Sequence, residues 1–256
     1  SKTLAEVEDL YRPYKQKKRT RAVIAKERGL EPLAKKILSQ TEEEDINKIA
    51  QKYINEEKGV TSVEDAINGA KDIIAEDISD NAKYRKYIKS ACYREAQIET
   101  KASKKDEKSN YEMYYDFSEE IKKIPSHRIL AINRGEKEEA LKVKIVKPED
   151  KIIYYIEKDL IKGETQFTNI LKETILDSYK RLIEPSIERE LRSDLTEKAE
   201  EQAIKVFGEN AKQLLLGAPL KDLVVMGFDP AYRTGCKIAV IDETGKVLDT
   251  TTVYPT

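Results

Sequence analysis

Three stretches of this sequence carry side chains able to do chemistry. The first, 12–28, holds Arg12, Lys15, Lys17, Lys18, Arg19, Arg21, Lys26 and Arg28, with Glu27 as the one acid among them. Tyr11 and Tyr14 flank its start. Clustered cations neutralise phosphates, and a ring beside them offers a face to an unstacked base. The same residues also fit a solvated loop whose tyrosines anchor it to a core, because basic clusters are weak motifs. The second stretch, Ile121-Lys122-Lys123-Ile124-Pro125-Ser126-His127-Arg128, leads on to Arg134. Lys122, Lys123, Ser126 and Arg128 can touch phosphate. Pro125 suits the start of a helix, and a helix N-terminus flanked by Ser126, His127 and Arg128 attracts anions. Against this stands a helix–helix junction in which Arg128 and Arg134 pair with carboxylates. The third feature is Asp229, at the end of the apolar run 223–228. A strand that ends on a carboxylate can hold a metal ion or a reacting group on a rigid sheet. Two-metal chemistry needs several such groups converging, whereas Asp242 and Asp249 fall at strand ends or turns and face away in a simple hairpin.

His127 is the only histidine, and Cys92 and Cys236 lie far apart. A zinc site is therefore not expected, and no cofactor box is visible. Cys92 reads as a small buried hydrophobe. With no secretory segment, the two cysteines point to a reducing, cytoplasmic setting. No apolar run approaches the length of a membrane span.

Helices must position most of these groups. Thr3-x-x-Glu6 is a capping box for a short helix that stops before Pro13, and Thr20 caps another that ends at Gly29. From 32 to 101 the pattern reads as a helical array. Thr41-x-x-Glu44 opens a helix ending at Gly59, with Ile46, Ile49, Ala50, Tyr53 and Ile54 inward. Ser62-x-x-Asp65 opens the next, and Asp80 caps a third that carries Tyr84, Ile88, Cys92 and Ala96. Short connections imply antiparallel or angled neighbours. Residues 101–110 read as a loop, and Asn133-Arg134-Gly135 closes the helix begun near Pro125. Alternation over 140–146 predicts a strand with one wet face, paired with 152–156, its edge guarded by Lys142, Lys144 and Lys147. Residues 167–183 are again helical. Pro185 then starts a helix over about 185–216, some 45 Å long, with Ile187, Leu191, Leu195, Ala199, Ala203 and Phe207 as a four-residue ladder. Gly217, Pro219 and Asp222 make a linker, and Gly-containing turns separate three short strands behind it.

The last stretch, Gly227-Phe228-Asp229 followed by a Gly235-containing loop and a hairpin, resembles the opening of a ribonuclease-H-like fold of the RuvC/YqgF kind. Together with Asp9-Leu10-Tyr11-Arg12-Pro13-Tyr14-Lys15 and Ile124-Pro125-Ser126-His127-Arg128 running into Ala131 to Glu136, it resembles the Tex family of bacterial transcription accessory proteins. The resemblance covers nearly the whole chain. It implies a mainly α fold: a helical array with a small inserted β element and a long connecting helix over 1–220. The first β-strands of a truncated α/β YqgF domain follow over 221–256. The family's helix-hairpin-helix and S1 domains are absent, so the chain reads as a fragment. Asp229 stands where the ribonuclease-H-like fold places its first metal-binding carboxylate. The other acids of such folds come later, and Pro230-Ala231-Tyr232-Arg233 departs from the short loop of active resolvases. Asp229 is thus expected to be vestigial, capping backbone N–H groups of the next loop, and no catalysis is expected.

Charged residues make up 37% of the 256, yet the net charge is -1, so any nucleic-acid argument is local. The resemblance implies RNA or DNA as partner, with RNA polymerase or the elongation machinery as a further one, and no cofactor. The bets for phosphate contact are Arg12, Lys15, Lys17, Lys18, Arg19, Arg21, Lys122, Lys123, Ser126, His127, Arg128 and Arg134. A helical protein-binding scaffold is the alternative, and a nuclease the disfavoured third.

Overall fold

A computed structural model describes residues 7, 10–15, 19–41, 44–103, 109–218 and 220–254. The capping box at Thr3 and the basic residues Lys17 and Lys18 lie outside them. The chain divides into two compact units, Ser1–Gln202 and Ala203–Thr256.

In chain order the first elements are α1 (Arg21–Glu27), α2 (Glu31–Ser39), α3 (Ile46–Gln51), α4 (Val63–Asp80) and α5 (Ala82–Glu95). Then come β1 (Gln97–Ala102), β2 (Asp116–Glu120), α6 (Ser126–Lys137), β3 (Leu141–Val146), α7 (Glu149–Leu160) and α8 (Thr168–Asp177). A π-helical segment, Ser178–Ile183, leads straight into α9 (Glu184–Leu215). The strands β4 (Val225–Asp229), β5 (Cys236–Ile241) and β6 (Val247–Val253) close the chain.

The helix α4 is the centre of the first unit, touching α1, α2, α3, α5, α8 and the π segment. Its sequence explains why. Ala66, Ala70, Ile73, Ile74, Ala75 and Ile78 are all buried, so apolar side chains nearly encircle it. Small residues let neighbours approach closely. A Cβ on Gly69 would stand 2.3 Å from Leu30 Cδ1, so glycine is what admits the α1–α2 corner. The capping box is real: Ser62 Oγ accepts from Asp65 N at 3.0 Å, while the Asp65 carboxylate accepts from the Thr61 hydroxyl and amide. The Thr61 hydroxyl, with help from Ser62, holds the Asp65 carboxyl below its usual range. Replacing Ser62 by alanine is expected to cost about 1 kcal/mol in a urea titration. The Asp65 contribution has a definite sign in pH. It is complete above the unfolded carboxylate value of about 4 and lost as pH falls through the lower folded value, an effect absent from Asp65→Asn.

Several helix boundaries differ from the sequence expectation. Asp45, not Thr41, caps α3 through Asn47 N, and Gly59 closes a separate 3-10 turn, Glu56–Lys58; Ile54 is exposed. Asn81, not Asp80, caps α5, because its short amide reaches both Lys83 N and Tyr84 N. Gly135 does not end α6. It is buried mid-helix, where a Cβ would lie 2.7 Å from Leu141 Cδ1 and 3.1 Å from Tyr111 Cδ1.

The β element is larger than expected and differently paired. β1 and β2 occupy the predicted helix end and the segment after the loop, giving an antiparallel sheet in the order β2-β1-β3. The predicted partner 152–156 is helical, in α7, with Ile152 and Ile156 buried four residues apart. Lys142 and Lys144 are exposed on the edge strand, as an edge guard requires. Lys147 is not a guard. Its side chain is 2% exposed, Nζ lies 3.2 Å from Glu184 and 2.5 Å from Glu188, and it donates to the Ile145 carbonyl at 3.1 Å.

Pro185 does not start a helix either. The chain is helical through it, because the wide turn at Ser178–Ile183 accommodates a residue without N–H whose ring crowds the preceding turn. The apolar ladder is buried at Phe167, Leu171, Ile175, Tyr179, Ile183, Ile187, Leu191 and Ala199. Ala203 and Phe207, predicted to continue it, are exposed. A four-residue repeat on a 3.6-residue helix drifts by about 40° per step and leaves a straight face within a few turns.

In the second unit β4, β5 and β6 form an antiparallel sheet in that order. The β5–β6 turn is closed by Asp242, whose carboxylate accepts from Thr244 Oγ1 and from the amides of Thr244 and Lys246.

Candidate nucleic-acid interface

The N-terminal basic cluster is divided by its partners. Arg12 sits in a 3-10 turn, Arg12–Tyr14, and points into the body of the unit. Its Nε is 3.5 Å from Asp80, Nη2 is 3.5 Å from Ser186 Oγ, and Nη1 is 4.0 Å from Glu190. Lys26 lies 3.7 Å from Asp77. The reason is electrostatic. The last turns of α4 carry Glu76, Asp77 and Asp80 and no basic residue, at the end where the helix dipole is already negative. Cations from the N-terminal turn and α1 supply the missing counter-charge around a depression of about 340 Å³ lined by Lys15, Lys26 and these acids.

The remainder of the cluster faces water. Lys15 and Arg21 are exposed and make no side-chain hydrogen bond or ion pair with any described residue. Arg19 is paired with Glu27 at 3.5 Å, but both side chains are more than half exposed, so the pair is weak. Tyr11 and Tyr14 are 58% and 80% exposed. This corrects the reading in which they anchor the loop to the core. Thr20 holds the start of α1 by accepting from Val23 N, which fixes Arg21 at its first position.

The second stretch is mostly satisfied internally. Lys122 and Lys123 both reach Glu120, at 3.2 and 2.8 Å. Arg128 pairs with Glu119 at 2.7 Å and lies 5.6 Å from the centre of the Phe117 ring. Ser126 begins α6 behind Pro125, beside a groove of about 480 Å³ whose floor includes Ile121, Ile129 and Ala199. Asp194, Glu197 and Glu201 line the same groove, so it repels anions. His127 and Arg134 are exposed and make no side-chain hydrogen bond or ion pair with a described residue. No hydrogen bond or ion pair joins the two basic stretches among the described residues.

One group of residues was not anticipated. Glu190 gathers Arg85, Lys89 and Arg12, with Lys89 at 2.6 Å and the Arg85 guanidinium fully buried against it. Its partners are distant in sequence, so no local pattern announces it. The available signal is Arg85 itself, spaced three and seven residues from the buried Ile88 and Cys92. Burial pushes the Cys92 thiol up to about 11, in keeping with a core role.

Asp229 is exposed at the end of β4 and makes no side-chain hydrogen bond with a described residue, so the expected capping of the next loop is not formed. It lines an open groove with Lys237, Thr250 and Thr252. Among the described residues no three His, Cys, Asp or Glu side chains are placed to share a metal ion, and no helix is long and apolar enough to cross a membrane.

Comparison with known proteins fits this architecture. Residues 41–207 match the Tex central region-like model, and residues 223–256 match the Tex protein YqgF-like domain. The chain is 55% identical to the uncharacterised protein YdcI of Bacillus subtilis over 98% of its length, covering 36% of that protein. It is 38% identical over its whole length to Protein tex of Bordetella pertussis, covering 34% of it. It is 37% identical over 97% of its length to the transcriptional accessory protein Tex of Neisseria gonorrhoeae, covering 33% of it. The chain thus spans about a third of these relatives. With its central region matched over more than half of the sequence and its last strands matched to the YqgF-like domain, the chain belongs to the Tex family.

Proposed function

We propose that this chain is a non-catalytic, nucleic-acid-binding part of a transcription accessory protein, holding RNA or DNA by its phosphates without reading sequence. The observation that carries it is the free, exposed state of Lys15 and Arg21 beside two exposed tyrosines, in a chain whose other cations are largely paired. The name borne by the Neisseria gonorrhoeae relative supports the transcriptional setting. Lys17, Lys18 and Arg19 extend the same surface in sequence, and His127 and Arg134 are further candidates. Arg12, Lys122, Lys123 and Arg128 contribute less, because each would have to leave a carboxylate to meet phosphate.

The test is fluorescence anisotropy with labelled single-stranded RNA and duplex DNA across a salt series. Binding is expected to weaken steadily as salt rises. A Lys15/Lys17/Lys18/Arg19/Arg21→Glu variant is expected to lose it, with the salt slope falling by about 0.7 per phosphate contact removed on a single strand. Absence of binding by the unaltered chain at low salt would refute the reading.

A second reading is favoured by the paired state of Lys122, Lys123 and Arg128: a helical scaffold contacting RNA polymerase or its elongation partners. A scaffold would bind such a protein without salt-sensitive affinity for a random oligonucleotide.

A further inference from the structure

Tyr11 and Tyr14 have no hydrogen bond or ring contact with a described residue, although the turn that carries them is well tied down. Arg12, between them, reaches inward to Asp80, Ser186 and Glu190. Lys15 N donates to the Arg12 carbonyl at 3.3 Å and closes the turn, and Pro13 presets its backbone. Residues three apart in a 3-10 turn are eclipsed, about 6 Å apart along the axis. That is close to twice the ~3.4 Å step between bases along a strand. Two anchored, outward-facing rings at this spacing can hold one base between them or two successive bases on their faces. Lys15 follows directly, and Arg19 and Arg21 stand a few residues on, where the linking phosphates would need charge.

We infer that Tyr11 and Tyr14 form a stacking platform for unpaired nucleobases, which makes single-stranded nucleic acid, rather than duplex, the ligand of the N-terminal turn. A duplex buries its base faces against each other and offers the rings nothing, whereas a single strand presents them to any aromatic surface. The inference rests on the phosphate-binding reading above and narrows it to one ligand class. Val7 and Leu10 are also exposed and lie at helical spacing with the tyrosines, a pattern that an apolar protein segment would match. The neighbouring cations favour the nucleic acid.

The experiment compares Tyr11→Ala/Tyr14→Ala, Tyr11→Phe/Tyr14→Phe and Lys15/Arg19/Arg21→Glu on a single-stranded RNA and on a duplex of the same sequence. The alanine pair is expected to weaken single-strand binding about tenfold or more, to leave duplex binding and the salt slope unchanged, and to be rescued by phenylalanine. The charge variant is expected to weaken both ligands and flatten the slope. If the alanine pair binds the single strand as the unaltered chain does while the charge variant fails, stacking is overturned and phosphate binding stands. Equal loss on both ligands in the alanine pair, with unchanged circular dichroism, also overturns it. An unaltered chain that binds neither ligand at low salt overturns both readings. An alanine pair that changes only self-association assigns the surface to a second copy of the chain and overturns stacking as well.

Discussion

Lys147→Ala is expected to remove about 3–5 kcal/mol of folding stability. The ammonium is 2% exposed and is shared by Glu184 and Glu188, so its loss leaves two partly buried carboxylates facing each other. It also leaves the Ile145 carbonyl without its donor, at the edge of β3. A urea titration should show a lower midpoint with an unchanged slope, because the same surface is exposed on unfolding. The companion Lys147→Met/Glu184→Leu/Glu188→Leu is expected to recover most of the loss, since an apolar replacement removes the desolvation cost along with the attraction. A loss below about 1 kcal/mol in the single variant would mean that the two carboxylates find water unaided.

Glu190→Ala is expected to act at two places at once. Arg85 is fully buried and Lys89 is largely so, and removing their shared carboxylate should cost about 3–5 kcal/mol. Arg12 also loses one of its two acids, which should loosen the N-terminal turn. Limited trypsin digestion reads the second effect directly: cleavage at Arg12 and Lys15 should accelerate at denaturant concentrations where the rest of the chain stays folded. Faster cleavage throughout the chain would show only global destabilisation.

Much of the fold was legible because its signals are local. Thr20 and Ser62 sit before apolar periodic runs, and both cap helices as their spacing implies. The hairpin at Asp242 was legible from Glu243-Thr244-Gly245-Lys246, where Gly245 supplies the positive φ of the turn. The misread boundaries have one cause. Thr41 competed with Asp45, and Asp80 with Asn81, and pattern alone does not say which oxygen will face the free amides. β1 escaped because QIETKA alternates over too few residues to outweigh the helix before it, and its burial at Ile98 and Thr100 depends on two strands distant in sequence. The candidate site was legible as a list of cations but not as a division among them. Whether Arg12 meets phosphate or Asp80 depends on a helix end nearly seventy residues away along the chain.

The wide turn at Ser178–Ile183 makes the chain's tolerance of length change uneven. Most loops absorb an added or lost residue, because nothing beyond them depends on rotation. Here, dropping one residue would convert the wide turn to an ordinary α turn and rotate everything after it by about 100°. Ile187 and Leu191 would swing out of the core, and Glu184 and Glu188 would swing away from Lys147. The segment therefore behaves as a fixed spacer that sets the rotational phase between two stretches of one long helix.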